Sequence, residues 1–220
     1  MSLENKLQVK GGHYKRRSYN TLERFISYYY QIKSLESLSS VVKVLEIGPG
    51  SKLVSRELSN LGYQVTTCDF DSRVNPDIIS DVRQLSCGDN SFDCVIACQI
   101  LEHIPYDEFE TVLENFARIS KRFVLISLPQ RNTGINLILK FPFIQTLFKR
   151  KFFDWSILFP VRFPGFEKSG QHHWEIDGWT IYRRQVRRSM EKHFRILQEF
   201  SPPLNKYHRF FILEKHEYSQ

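Results

Sequence analysis

Apolar positions along the chain follow two periods, and the switches between them mark the elements. Leu22, Phe25, Ile26, Tyr29, Ile32 and Leu35 recur at helical spacing and predict an amphipathic helix over 22–38. The run from Val41 to Ile47 is rich in β-branched residues, carries one acid near its end at Glu46, and breaks into Gly48-Pro49-Gly50, which reads as a strand entering a tight turn. Positions 51–61 place Leu53, Val54, Leu58 and Leu61 on one helical face, the chain turns at Gly62, and 64–69 read as a second strand ending in Asp69. A short strand is expected at Ile78-Ile79. Residues 92–98 are nearly all apolar after Asp93, as in a parallel strand buried on both faces. A helix over 106–120 carries the stripe Phe109, Val112, Leu113, Phe116 and Ile119, followed by a strand over 123–128 that stops at Pro129. A helix over 179–193 and strands over 194–200 and 209–214, joined through Pro202-Pro203, complete the pattern.

Strand, glycine turn, helix, strand and acid form one βαβ unit of an open parallel sheet, and such sheets bind ligands beyond the carboxyl ends of their strands. Glycine lacks the Cβ that would block a ligand and tolerates φ > 0, so Gly48-Pro49-Gly50 suits close approach of a nucleotide-type cofactor. Asp69 lies about 20 residues beyond the glycines, where a carboxylate can hold two ribose hydroxyls. Two common nucleotide loops fit less well. A dinucleotide fingerprint wants a third glycine where Leu53 stands, and a phosphate-cradling loop wants Gly-Lys-Ser or Gly-Lys-Thr, whereas Ser51-Lys52 has the reverse order.

Four segments in order, Val44-Leu45-Glu46-Ile47-Gly48-Pro49-Gly50, Val65 to Asp71, Ser80-Asp81-Val82 and Ser91 to Ile104, resemble the class I S-adenosylmethionine-dependent methyltransferases, in particular the type 11 small-molecule family. The resemblance covers roughly 41–128. It implies a three-layer, doubly wound, Rossmann-like α/β fold with a mostly parallel seven-stranded sheet of order 3-2-1-4-5-7-6 and an antiparallel last strand. It also implies S-adenosyl-L-methionine as cofactor, with Glu46 and the Gly48, Pro49 and Gly50 backbone facing its methionine part, Asp69 on ribose and Phe70 beside the adenine. Asp81 would accept from the adenine amino group, the Val82 N–H would serve a ring nitrogen, and Gln99 and Ile100 would line the sulfonium end. For Asp81, capping of a nearby turn is an equal reading. Asp93 starts its strand, at the end away from the ligand, and is expected to be structural.

Length and composition change this picture little. The 220 residues suit one α/β domain: a helical segment over 1–40 packed on a methyltransferase domain over 41–220, with an inserted cap or lid at about 131–170. Four cysteines make neither a disulfide framework nor a zinc site, since Cys94 and Cys98 on one strand are about 13 Å apart, and the pattern fits a reducing cytosol. No secretory signal or membrane span is expected: the N-terminal region is polar and basic, and the most apolar run, 135–148, is short and broken by Lys140 and Pro142. The net charge of +7 is spread over Lys15-Arg16-Arg17, Lys149-Arg150-Lys151 and 183–188 without a nucleic-acid motif, so solvated basic faces are favoured over an RNA-binding surface.

The acceptor side is the aromatic and basic stretch from Arg131 to Gly170 and the residues after it. Three readings of the stretch stand open: a lid over an acceptor pocket, a surface over 135–166 that touches lipid headgroups, or satellite core. A base, if used, is sought among His173, His172 and His103, because imidazole titrates near neutrality and can take a hydroxyl proton as the methyl arrives. No metal is expected, since His172, His173 and Glu175 lack a paired ligand set elsewhere. The expected activity is methyl transfer to a small-molecule, glycan or lipid-linked acceptor at oxygen. An RNA methyltransferase and a non-catalytic S-adenosylmethionine-binding protein are the alternatives, with a nicotinamide oxidoreductase behind them.

Overall fold

The computed structural model describes residues 14, 18–131, 134–149, 152–158, 172–177 and 181–216. In chain order the elements are α1 (Leu22–Glu36), β1 (Lys43–Ile47), α2 (Leu53–Asn60), β2 (Gln64–Asp69), β3 (Ile78–Ile79), β4 (Phe92–Cys98), α3 (Phe109–Ile119), β5 (Ser120–Pro129), β6 (Gly134–Leu139), α4 (Ile144–Phe148), β7 (Phe153–Leu158), α5 (Arg183–Glu191), β8 (Phe194–Phe200) and β9 (His208–Lys215). A seven-stranded sheet runs β3-β2-β1-β4-β5-β9-β8. Its first five strands are mutually parallel, and β9 is antiparallel to both β5 and β8. This is the predicted order and the predicted antiparallel last strand, because β6 and β7 pair only with each other in a separate hairpin.

The central strands are buried on both faces, and alternate residues serve different cores. Leu45, Val95, Ala97 and Phe211 pack with Phe109, Val112 and Phe116 of α3 and Val186 of α5 on one side. Val44, Cys94, Ile96 and Phe210 pack with Leu35 of α1 and Val54 and Leu58 of α2 on the other. The result is a sheet between two helical layers. Asp93 is structural, as expected: its Oδ2 accepts from the Val42 and Lys43 N–H groups at 2.9 and 2.7 Å, and its Oδ1 receives Lys121 Nζ at 3.0 Å.

Three sequence expectations need correction. α1 buries Leu35 of its predicted stripe and packs Ile32 on the core, but Leu22, Phe25 and Tyr29 are exposed and Ser27, Gln31 and Ser34 are buried in their place. This polar face goes inside because it is hydrogen-bonded there: Gln31 Nε2 donates to Ser27 Oγ at 3.3 Å, His208 Nδ1 lies 3.0 Å from the same hydroxyl, and Asn205 Nδ2 donates to the Glu23 carbonyl at 2.9 Å. α2 begins at Leu53, after Lys52 takes a left-handed backbone, and its last predicted inward residue, Leu61, is exposed. The stretch 131–170 contains strands that periodicity did not suggest. Its described parts form the β6–β7 hairpin and α4, with Phe143, Trp155 and Ile135 exposed at 75%, 65% and 60%, so there they are surface and not satellite core. Residues 132–133, 150–151 and 159–171 lie outside the described residues, as do 178–180 at the start of the predicted 179–193 helix. Among the described residues no helix is long and apolar enough to cross a membrane.

Candidate active site

Every residue read from the sequence as a cofactor contact lies at or just beyond the carboxyl end of a sheet strand. Past β1 the backbone takes positive φ at Gly48 (+69°) and Gly50 (+51°), and the Gly48 N–H is held by the Cys68 carbonyl at 2.8 Å. A Cβ on Gly48 would sit 1.9 Å from Ile100 Cδ1, and one on Gly50 would lie 3.3 Å from both Tyr14 Cε1 and Tyr19 Oη. Glycine is therefore required at 48 by both space and backbone. Tyr14 and Tyr19, whose rings meet edge to face at 5.1 Å, close over the loop from the N-terminal side. Neither tyrosine is legible as a site residue in the sequence, since a tyrosine pair ahead of the domain belongs to no local motif.

Glu46 is buried just before this loop, and among the described residues its Oε2 has no hydrogen-bond partner. Burial pushes its carboxyl up to about 7, against the lowering effect of hydrogen bonds from Ser55. Asp69 ends β2, burial raises its carboxyl too, and its Oδ1 accepts from the Asp71 N–H at 2.9 Å, with half-buried Phe70 between. Asp81 caps the single turn Val82–Gln84 through the Arg83 N–H at 2.9 Å and forms an ion pair with Arg83 Nη2 at 2.6 Å. Arg83 in turn reaches Glu108 at 2.9 Å, so the capping role allowed for Asp81 is present in full. Val82 is buried beside it. Gln99 leaves β4 with a left-handed backbone (φ +58°), fixed by its N–H on the Ser127 carbonyl at 2.9 Å and its Nε2 on Ser127 Oγ at 3.2 Å. The two bonds to Ser127 hold a backbone conformation that non-glycine residues seldom adopt.

A second cluster follows directly from that turn. Glu102 is wholly buried, and among the described residues neither of its carboxylate oxygens has a hydrogen-bond partner. Burial, with the Glu175 charge, pushes it up to about 8. His103 Nε2 lies 4.0 Å from Glu102 Oε1, and the His103 and His172 rings meet edge to face at 5.0 Å. Segment 172–177 is strapped over this turn by three bonds. His173 N–H donates to the Glu102 carbonyl at 2.8 Å, Trp174 Nε1 to the Ile104 carbonyl at 3.1 Å, and Ile176 N–H to the Pro129 carbonyl at 2.9 Å. The strap turns His172 inward and leaves His173 exposed, so the sequence order of the two histidines as candidates is reversed by their placement. His172 Nδ1 lies 3.0 Å from Glu175 Oε1, which also accepts from Tyr207 Oη at 2.6 Å. Burial works against the charge on Glu175, yet these two bonds hold its carboxyl below the usual range.

The trio His172, His173 and Glu175 does not converge. Glu102, His103 and His172 do, each offering one ligand atom within 4.8 Å of the others. The two clusters are neighbours: Ile100 reaches Gly48, and the Cys98 thiol, raised to about 12 by burial, feels the charges of both Glu46 and Glu102. Glu102 itself had a signal in the sequence, as the one acid in Ile100-Leu101-Glu102-His103-Ile104.

Residues 45–125 match the methyltransferase-domain family. No curated protein matches the chain. Among solved structures, a protein from Pyrococcus horikoshii superposes with TM-score 0.61 at 14% identity, covering 94% of this chain and 100% of that one. Magnesium protoporphyrin IX methyltransferase from Synechocystis, solved with bound S-adenosylmethionine, gives TM-score 0.57 at 14% identity over 95% and 93% of the two chains. The N-methyltransferase NodS from Bradyrhizobium japonicum, with S-adenosyl-L-homocysteine, gives 0.54 at 11% over 89% and 87%.

Proposed function

We propose that this chain is a class I S-adenosylmethionine-dependent methyltransferase that methylates a hydroxyl of a small-molecule, glycan or lipid-linked acceptor, a reading supported by its fold and by the family match over residues 45–125. The observation that carries the cofactor is the orphaned, buried Glu46 Oε2 just before a positive-φ glycine loop that a single Cβ would obstruct. A buried acceptor without a donor fits a ligand that brings its own positive or N–H group. The residues present therefore fit S-adenosylmethionine: Glu46, Gly48, Pro49 and Gly50 at the methionine end, Asp69 and Phe70 at the nucleoside, Asp81 and Val82 beyond it, Gln99 and Ile100 toward the sulfonium. When bound, that cofactor supplies an electrophilic methyl group for in-line displacement.

The chain's own work is to position the acceptor, exclude water and accept a proton. Buried Glu102 and inward His172, oriented by Glu175 and Tyr207, line the place next to Ile100 where an acceptor hydroxyl would lie. The hairpin stands on the same side: Lys206 Nζ is bonded to Asp154 Oδ2, tying β7 to the residue before Tyr207. Its exposed apolar face, flanked by Lys140 and Lys149, supports an acceptor carried at a lipid surface.

Calorimetry with S-adenosylmethionine tests the donor side. Asp69→Ala is expected to weaken binding by about 1 kcal/mol or more, through lost charged hydrogen bonds. Unchanged affinity would remove Asp69 from the site. A screen of hydroxyl-bearing acceptors for S-adenosylhomocysteine release tests the transfer, and binding without release from any acceptor would leave a cofactor-binding protein and no enzyme.

A further inference from the structure

We propose that Glu102, His103 and His172 form a binding site for one divalent transition-metal ion, of the zinc or cobalt type, beside the methyl-donor site. Glu102 poses the problem that the ion answers. Both its carboxylate oxygens are buried with no side-chain hydrogen-bond partner among the described residues, and a buried acid in that setting calls for a proton, a water or a cation. Two imidazoles face it, from different parts of the chain: His103 one residue on, and His172 from the strap whose backbone bonds hold it there.

The donor set has the chemistry of a borderline cation, two nitrogens and one carboxylate oxygen. Around an ion bound tetrahedrally at about 2.0 to 2.2 Å, ligand atoms lie about 3.3 to 3.6 Å apart. The three atoms here fall within 4.8 Å of one another, so the side chains have to close by up to about 1.5 Å when the ion binds. The surroundings of His172 fit as well. Its Nδ1 lies 3.0 Å from Glu175 Oε1, which Tyr207 holds from the other side, leaving Nε2 as the ligand nitrogen. A carboxylate on the far nitrogen of a metal-bound histidine fixes its tautomer and raises its basicity.

Three protein ligands leave a coordination position open, and the turn at Gln99 and Ile100, which leads directly into Glu102, meets the glycine loop. An acceptor hydroxyl there would be oriented and made more acidic by the ion. This role, though not the binding of the ion, rests on the methyl-transfer reading above. A second acidic group, Glu110, Glu114 and His193, is a poorer candidate, since Lys192 Nζ already bonds both Glu110 oxygens.

The test is titration of chelator-treated full-length protein with Co²⁺, read by visible absorption, and with Zn²⁺, read by calorimetry. One ion per chain is expected. Glu102→Gln, which keeps shape and removes charge, and His172→Ala should each weaken binding at least tenfold, and Glu175→Gln about 10- to 100-fold without contributing a ligand. Glu114→Ala should change nothing. Failure of the wild type to saturate at one ion, or affinity lost in Glu114→Ala and kept in Glu102→Gln, overturns the site. Thermal melts of each variant identify any that fail to fold, for which Glu102→Gln and Glu175→Gln stand in. S-adenosylmethionine affinity, measured in parallel, is expected to be unchanged in all four variants, and its absence in the wild type would count against the methyl-transfer reading while leaving the metal result to stand.

Discussion

At the scale of single residues, the site depends on atoms placed where an ordinary side chain would not be. Gly48→Ala puts a Cβ 1.9 Å from Ile100 Cδ1 on a backbone with φ +69°. It is expected to cost about 1–3 kcal/mol of stability in denaturant melts and to abolish cofactor binding. Adding Ile100→Ala should recover the steric part and leave the backbone part, about 1 kcal/mol. Glu46 yields a pH signature. Its folded carboxyl titrates at about 7 against 4.5 in the unfolded chain, because burial disfavours its charge. Above pH 4.5 the unfolded chain releases a proton that the folded chain keeps, so the stability present below 4.5 is lost as pH rises through about 7. The loss is about 3 kcal/mol at most. Glu46→Gln should remove that slope, raising the unfolding midpoint at pH 8 relative to the wild type while leaving pH 4.5 unchanged, and should weaken S-adenosylmethionine binding. Equal slopes in the two proteins would mean that Glu46 is ionised in the folded state.

At the scale of elements, the strands and the extent of α1 were legible, and the side that α1 turns inward and the hairpin were not. β4 was readable to its ends, 92–98, because a strand buried on both faces must be apolar at nearly every position. The stripe of α3 was likewise readable, since Phe109, Val112, Leu113, Phe116 and Ile119 have one face to bury and all do. α1 misled because periodicity counts apolar side chains and not hydrogen-bond partners: Ser27 goes inside to meet His208, 181 residues away in the chain. β6 and β7 misled because a two-stranded hairpin outside the main sheet need not alternate. Its exposed Ile135, Leu137, Trp155 and Ile157 carry the expectation that the protein sediments with vesicles containing anionic lipid. Replacing Trp155 and Ile157 by Ser should release it from the vesicles with S-adenosylmethionine affinity intact. Equal sedimentation of the variant would take the hairpin out of any membrane contact.

At the scale of the whole molecule, cofactor and fold are thermodynamically linked. The loop after β1, the ends of β2 and β4 and the N-terminal Tyr14 and Tyr19 lie at the carboxyl end of the sheet, so a ligand there ties together segments that separate on unfolding. S-adenosylmethionine at a hundred times its Kd should add about 2.7 kcal/mol to the unfolding free energy. For a chain of this size that is a rise in Tm of roughly 5–11 °C, measurable by calorimetry, and no rise would mean that the site does not bind it. The sequence by itself determined the βαβ unit, the glycine turn and the place of Asp69 at the end of a strand, because each is written in short-range spacing and in the apolarity of doubly buried strands; the strand order came only from the family resemblance, since periodicity does not say which strands are neighbours. Only the tertiary structure decided which histidine of His172-His173 turns inward, that Glu102 is buried without a donor among the described residues, and that Tyr14 and Tyr19 cover the loop. Those facts depend on backbone bonds such as His173 N–H to the Glu102 carbonyl, made between residues 71 apart, and no local pattern encodes a contact whose partner lies in a distant segment.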